Sequence, residues 1–262
     1  MAETPWSALP ASLRRIRALA RHTLAEGLHQ RLTLVGVLAG AALLGGAVGL
    51  REFNFGSAEL KFLEDLGLGS LGLSGTVLAA LMTPLLLFRE MESRVIYAVL
   101  TRPVRRWEYV AGKLAGIAGL LAVYLMALSL LFAGILMWRG LQLGVGPLLP
   151  RFFFYACAML WMKSTLVAAM TMLVCSYAGS VLFASCAGLL LALIGQLRPW
   201  ATGGGLNWLR AWPNLGVFDA ERLLDPSITP TAAWGLGLSL YWAVYLLLFG
   251  VLASHGFKHR EF

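Results

Sequence analysis

Charge is the scarcest commodity in this sequence. Only 13% of its 262 residues are Asp, Glu, Lys or Arg, about half the roughly 25% of an ordinary soluble domain. Acidic groups are rarest, 13 against 21 basic ones, and histidines number four. The three cysteines, Cys157, Cys175 and Cys186, all lie inside apolar stretches, and no CxxC spacing exists. That excludes a disulfide framework or a cysteine metal site and leaves them as small helix-packing residues. What the sequence has instead is apolar bulk: 59% hydrophobic residues and a mean hydropathy of +0.75. A soluble fold of this length cannot hide so much apolar surface. A bilayer removes the constraint, because lipid is itself the apolar solvent. The net charge of +8 would raise nucleic-acid binding in a soluble protein. Here the bases sit between apolar runs, so they read as orientation signals and no nucleic-acid partner is expected.

Six runs approach the roughly 20-residue spanning length: Leu32 to Leu50, Leu66 to Phe88, Leu114 to Met137, Phe152 to Val174, Gly179 to Leu197 and Ala232 to Ala253. Long runs without period-2 alternation predict helices, which keep every backbone group paired in lipid. The fold class expected is therefore an all-α integral membrane protein with six transmembrane helices. Only Ser176 to Ser180 separates the fourth and fifth runs, which predicts a tight helical hairpin. A 31-residue basic leader precedes the first run, which is too long for the h-region of a signal peptide. From Ser12 to Arg31 the leader is amphipathic. Leu13, Ile16, Leu19, Ala20, Leu24 and Leu28 recur at helical spacing, and Arg14, Arg15, Arg17, Arg21 and Arg31 supply the polar side. Such a helix is expected in the headgroup plane, against membrane lipids. Six spans put both termini on one side. That side holds thirteen of the Lys and Arg, the other side seven, and Lys163 lies within a span. The bias predicts cytoplasmic termini.

The loop from Arg89 to Lys113 is the most informative. Glu90 to Leu100 has helical periodicity, with Met91, Val95, Ala98 and Val99 on one side. Thr101, Arg102 and Pro103 should end that helix, since the residue before proline avoids the helical region. A second helix is then expected to run into the third span. A short charged helix held between spans suits force transmission from a cytoplasmic partner. It equally suits an ordinary loop obeying the positive-inside rule.

Residue by residue, this loop resembles a family. Arg89-Glu90-Met91-Glu92-Ser93, Tyr97 to Leu100, Arg102-Pro103-Val104-Arg105, Trp107-Glu108-Tyr109 and Gly112-Lys113 are similar to the first cytoplasmic loop of ABC transporter permeases of the second exporter class (ABC-2 type). The branch it most resembles is the permease of copper-enzyme (nitrous oxide reductase) maturation transporters. Arg94 stands where that family commonly has threonine. Trp212-Pro213-Asn214-Leu215-Gly216-Val217-Phe218-Asp219 and the tail Phe257 to Phe262 resemble further segments of the branch. The resemblance implies one transmembrane permease domain over residues 1–262, with an interfacial connecting helix at 1–31. It also implies a cytoplasmic coupling loop at 89–113 and an external loop or re-entrant segment at 196–231. It implies a homodimer in the bacterial inner membrane, powered by separate ATP-binding subunits that hold the ATP and Mg. Arg89, Glu90, Glu92, Ser93, Arg94, Arg102, Pro103 and Arg105 would couple to that ATPase. No GxxxxGK[ST] loop occurs, because Gly112-Lys113 lacks the earlier glycine and the following hydroxyl; the chain itself is expected to bind no cofactor and to be no enzyme.

Lys163, mid-way along the fourth run, costs about 2.5–3.5 kcal/mol to insert. It is either a pathway contact for an anion or headgroup, or a structural interhelical lysine. No span offers it a carboxylate, and Glu52, Glu59, Glu64 and Asp65 are the candidates from the loops. Gly72-Leu73-Ser74-Gly75 matches the GxSG of intramembrane serine proteases. Catalysis would need a histidine in reach of Ser74. His22, His29, His255 and His259 are all expected near the cytoplasmic face, of order 20 Å away at 1.5 Å per residue. Small-residue spacings at Gly36/Gly40, Gly45/Gly46/Gly49 and Gly112/Gly116 permit close helix approach, within the chain or between copies. An ATP-independent carrier or channel is the alternative function, and it would need ionisable groups inside the membrane.

Overall fold

The structure is a computed structural model. It describes residues 11–49, 59–92, 105–142, 152–201, 212–224 and 231–257. Seven helices occupy them: α1 (Ala11–His29), α2 (Arg31–Gly49), α3 (Glu59–Glu92), α4 (Arg106–Gln142), α5 (Phe153–Cys175), α6 (Val181–Ala201) and α7 (Ala232–Gly256). Two 3-10 turns, Leu215–Phe218 and Ala220–Leu224, lie between α6 and α7. No strand occurs among the described residues. Five helices are long and apolar enough to cross a membrane, and six if the bent α1–α2 pair is one span. α1 and α2 meet at 63° around Gln30. There the Thr33 hydroxyl donates to the Gly27 carbonyl at 2.6 Å, satisfying a helix end.

The exterior is inverted relative to a soluble protein. Leu34 and Leu38 of α2, Met126 and Leu130 of α4, Leu182 and Leu190 of α6, and Leu240 and Leu247 of α7 all face outward. Such a continuous apolar surface suits lipid rather than water. α5 is the hub. Every residue from Lys163 to Met172 is buried, with α3, α4, α6 and α7 packed around it. Polar tips join it to neighbours where lipid offers no partner. The Trp161 indole donates to the Ala118 carbonyl at 2.9 Å, and the Trp242 indole to the Thr165 hydroxyl at 2.8 Å. The hairpin expected between α5 and α6 is present, with Ser180 capping α6 through the Phe183 amide at 3.3 Å.

Glycines set the closest approaches. A Cβ at Gly116 would lie 2.6 Å from Thr23 Cβ and 2.8 Å from the Ala20 carbonyl, and one at Gly112 would lie 2.7 Å from Leu19 Cβ. The apolar side of α1 therefore lies in a glycine groove on the first turns of α4. Gly36 and Gly40 likewise seat Leu78 and Leu128 within the chain, whereas Gly45, Gly46 and Gly49 meet nothing. Two of the three small-residue spacings thus serve internal contacts. Of the cysteines, Cys175 is buried and Cys157 half-buried, but Cys186 faces outward from α6, so it does not pack against this chain as expected.

α3 and α4 have 34 and 37 residues, or about 50 and 55 Å at 1.5 Å per residue. Both exceed the roughly 30 Å hydrocarbon core. Their joined ends project beside α1, at what is here termed the α1 end of the bundle.

Candidate functional site

At the α1 end, three helices meet around one carboxylate. Glu90 sits near the C-terminus of α3 and is buried. Lys113, about two turns into α4 and fully buried, forms an ion pair with Glu90 Oε1. The Tyr109 hydroxyl donates to Glu90 Oε2 at 2.8 Å. From α1, His22 Nδ1 comes within 3.7 Å of Glu90, and Glu26 lies 4.0 Å from both His22 and Arg89. A turn away, Arg15 of α1 meets the buried Glu108 at 3.4 Å. Glu108 also accepts from the Arg105 backbone N–H at 3.2 Å, which caps the start of α4. So α1, the end of α3 and the start of α4 are tied together at both flanks of residues 93–104. Ser93, Arg94, Arg102 and Pro103, and most of the helix expected over Glu90 to Leu100, lie outside the described residues. α3 itself continues through Glu92. Arg89 is largely exposed, while Glu90 points inward to Lys113 and Tyr109. Pro84 interrupts the α3 ladder two turns earlier. The Thr83 hydroxyl there bonds back to the Ala79 carbonyl at 2.7 Å, a local arrangement that lets a helix bend.

The second constellation is at the opposite half of the bundle. Lys163 Nζ bonds Asp219 Oδ1 at 2.6 Å, and Gln196 Nε2 of α6 bonds Asp219 Oδ2 at 2.7 Å. Among the described side chains the partner is therefore Asp219 rather than Glu64 or Asp65, while Glu52 and the Glu59 side chain lie outside the described residues. The reason is topological. Trp212 donates its indole N–H to the carbonyl of Leu191 at 3.4 Å, half-way along α6, and packs on Phe249 of α7 with ring centroids 5.9 Å apart. Residues 212–224 thus return into the bundle, with Leu215 and Phe218 fully buried. Asn214 accepts from the Gly216 amide at 3.1 Å to start the first turn, and Asp219 follows at its end. An acidic residue that reads as loop in the sequence is delivered to mid-helix depth on α5. Ser74, by contrast, bonds the Leu71 carbonyl of its own helix at 3.1 Å. Described His22 belongs to the α1-end cluster, so the structure offers Ser74 a packing role.

The comparison with known families adds one decisive observation. The profile of a family described as "ABC-2 family transporter protein" matches residues 29–201, well over half of the sequence. The chain belongs to the ABC-2 transporter family. No curated protein matches it. As an ABC-2 permease it is a multi-pass membrane transport subunit, of a kind that works with an ATP-binding subunit. The matched region runs from the α1–α2 junction to the end of α6. It holds Glu90, Tyr109, Lys113, Lys163 and Gln196. His22, Glu26, Asp219 and Glu221 lie outside it.

Two sets of residues had no role in the sequence reading. Tyr109 and Lys113 stood only as members of a loop pattern, because a spacing of 19 or 23 residues across a connection carries no contact signal. Asp219 likewise stood only in the Pro213-Asn214 segment.

Proposed function

We propose that this permease is the membrane subunit of an ATP-driven exporter, powered by a separate ATP-binding subunit that docks on residues 89–113. The observation that carries the reading is the ion-paired junction of α1, α3 and α4 at both flanks of that loop. A push on the loop reaches all three helices at once, because Glu90, Lys113, Tyr109 and Glu108 bind them into one body. Arg89, Glu92, Ser93, Arg94, Arg102, Pro103 and Arg105 form the docking face. Glu90 acts through Lys113 and positions that face. The partner holds ATP and Mg, since this chain carries no phosphate-cradling loop. Two permease copies pair in the bacterial inner membrane with both termini cytoplasmic, as the Lys and Arg bias predicts. Residues 1–262 then form one transport domain, with 1–31 as its connecting helix. The order of loop, Pro213-Asn214 segment and basic tail supports the nitrous oxide reductase maturation branch.

The test is copurification with the cognate ATPase, followed by Arg94→Ala and Arg102→Ala. Loss of the complex is expected, and a complex that survives deletion of residues 90–103 overturns the docking site. One observation favours a second reading. The partly buried Lys163–Asp219 pair is the kind of intramembrane ionisable site that an ion-coupled carrier uses. Transport that persists without any ATPase would select it.

A further inference from the structure

Beside Lys163 lies a cavity of about 470 Å³ between α3, α5, α6 and residues 215–221. Its wall is mostly apolar, with Leu68, Leu73, Val77 and Leu193 along it. A second cavity of about 360 Å³, reaching Phe62 and Asp65, shares Gly69, Leu73 and Glu221 with the first. Glu221 therefore stands where the two meet.

The polar groups decide what the site can hold. Lys163 is committed to Asp219 at 2.6 Å, and the other Asp219 oxygen to Gln196. That bond fixes the Gln196 amide, with nitrogen toward the carboxylate. Its Oε1 is left buried with no hydrogen-bond partner. Glu221 is the other acceptor. Its Oε1 lies 2.7 Å from where a Cβ on Gly69 would be, so a side chain there would push the Glu221 carboxylate aside. Among the described residues lining the two cavities, one cation, Lys163, stands against Asp219, Glu221 and Asp65. Burial, then Asp219 and Asp65, push the Glu221 carboxyl above its ordinary range, with Lys163 opposing. The described lining has acceptors and excess negative charge, and the cation it holds is already paired. An anion would find neither a donor nor a favourable field here. A ligand that donates hydrogen bonds and carries positive charge finds both, with apolar walls for the rest of it.

We propose that this cavity binds an amphiphilic primary amine, its ammonium group held by Glu221 and Gln196 Oε1 and its hydrocarbon portion laid along the α3–α6 wall. The proposal deepens the transport reading by naming a class of cargo, but binding itself needs no ATPase. A free amphiphilic amine and a lipid with an ammonium headgroup share this chemistry.

The test uses the full-length permease in nanodiscs of phosphatidylcholine and phosphatidylglycerol, titrated with dodecylammonium. Saturable binding is expected, and Glu221→Gln should weaken it about tenfold or more, the scale of one charge-assisted hydrogen bond. Gly69→Ala, which displaces Glu221 without removing it, should weaken binding as well. Dodecyl sulfate and dodecanol should show no component that these variants alter. Equal binding by wild type and both variants overturns the proposal, as does tighter variant-sensitive binding of dodecyl sulfate. Discs containing phosphatidylethanolamine assign the source: competition points to a lipid headgroup, and unchanged affinity to a free amine. If binding holds while ATP turnover of the assembled complex ignores dodecylammonium, the site stands and its reading as a cargo site fails.

Discussion

Breaking the Glu90–Lys113 pair should cost more than any surface change at the same end of the bundle. Lys113 is fully buried and Glu90 nearly so, and their charged atoms are in direct contact. Removing one partner of a buried pair strands the other charge, at about 3–5 kcal/mol. Glu90→Gln should fall near the lower figure, because the amide oxygen can still accept from Lys113 or from Tyr109, but not strongly from both. Lys113→Met should cost a similar amount, leaving the Glu90 carboxylate without its buried counter-charge while Tyr109 and His22 remain beside it. The double variant leaves no unpaired charge, so its cost should match one single change rather than their sum. The assay is unfolding free energy in mixed micelles, across all four members of the cycle. Strict additivity, or single costs below about 0.5 kcal/mol as at exposed pairs, would refute the claim that this pair ties α3 to α4. The same variants should retain ATPase binding yet lose transport-linked stimulation, since the junction would be loose while the docking face remained.

Three further outcomes follow. Gly116→Leu forces a side chain into Thr23 and the Ala20 carbonyl and should cost about 1–3 kcal/mol. Faster tryptic cleavage at Arg17 and Arg21 would report a loosened α1, and an unchanged rate would contradict its docking on α4. For Glu221 the folded carboxyl titrates above the ordinary value, so the folded state holds its proton to higher pH than the unfolded chain does. Stability is then lost as pH rises through that window. Glu221→Gln should raise the melting temperature at pH 7 and leave it unchanged near pH 4; a loss at pH 7 would reverse the sign. Ser74→Ala should leave transport intact, because its hydroxyl makes packing contacts, to the Leu71 carbonyl of its own helix and to Tyr124 of α4, and loss of activity would revive the protease reading.

The helices were legible in the sequence because length and hydropathy are local properties. The α5–α6 hairpin followed from the short Ser176 to Ser180 break between two apolar runs, and the ends of α3 and α4 from a charged loop. What packs against what was not legible. Lys163 and Asp219 are 56 positions apart, and Asp219 reads as external loop until residues 212–224 are seen to fold back beside α6. Gly112 and Gly116 permitted a close neighbour without naming it, and it proved to be α1 rather than a second copy. Glu90 read as one charge among several in a loop. Its burial depends on Lys113 from the next helix, which periodicity within α3 cannot reveal.

The central claim is that force enters through the loop between α3 and α4. The most direct measurement is site-specific crosslinking from a cysteine at Arg94, in a background without Cys157, Cys175 and Cys186, to the cognate ATP-binding subunit. A crosslink is expected whose yield changes with ATP, and whose ATP dependence is lost, with the crosslink itself retained, when Glu90 and Lys113 are separated by substitution. A fully active complex with no crosslink from Arg94, and no loss of assembly on deleting residues 90–103, would contradict it.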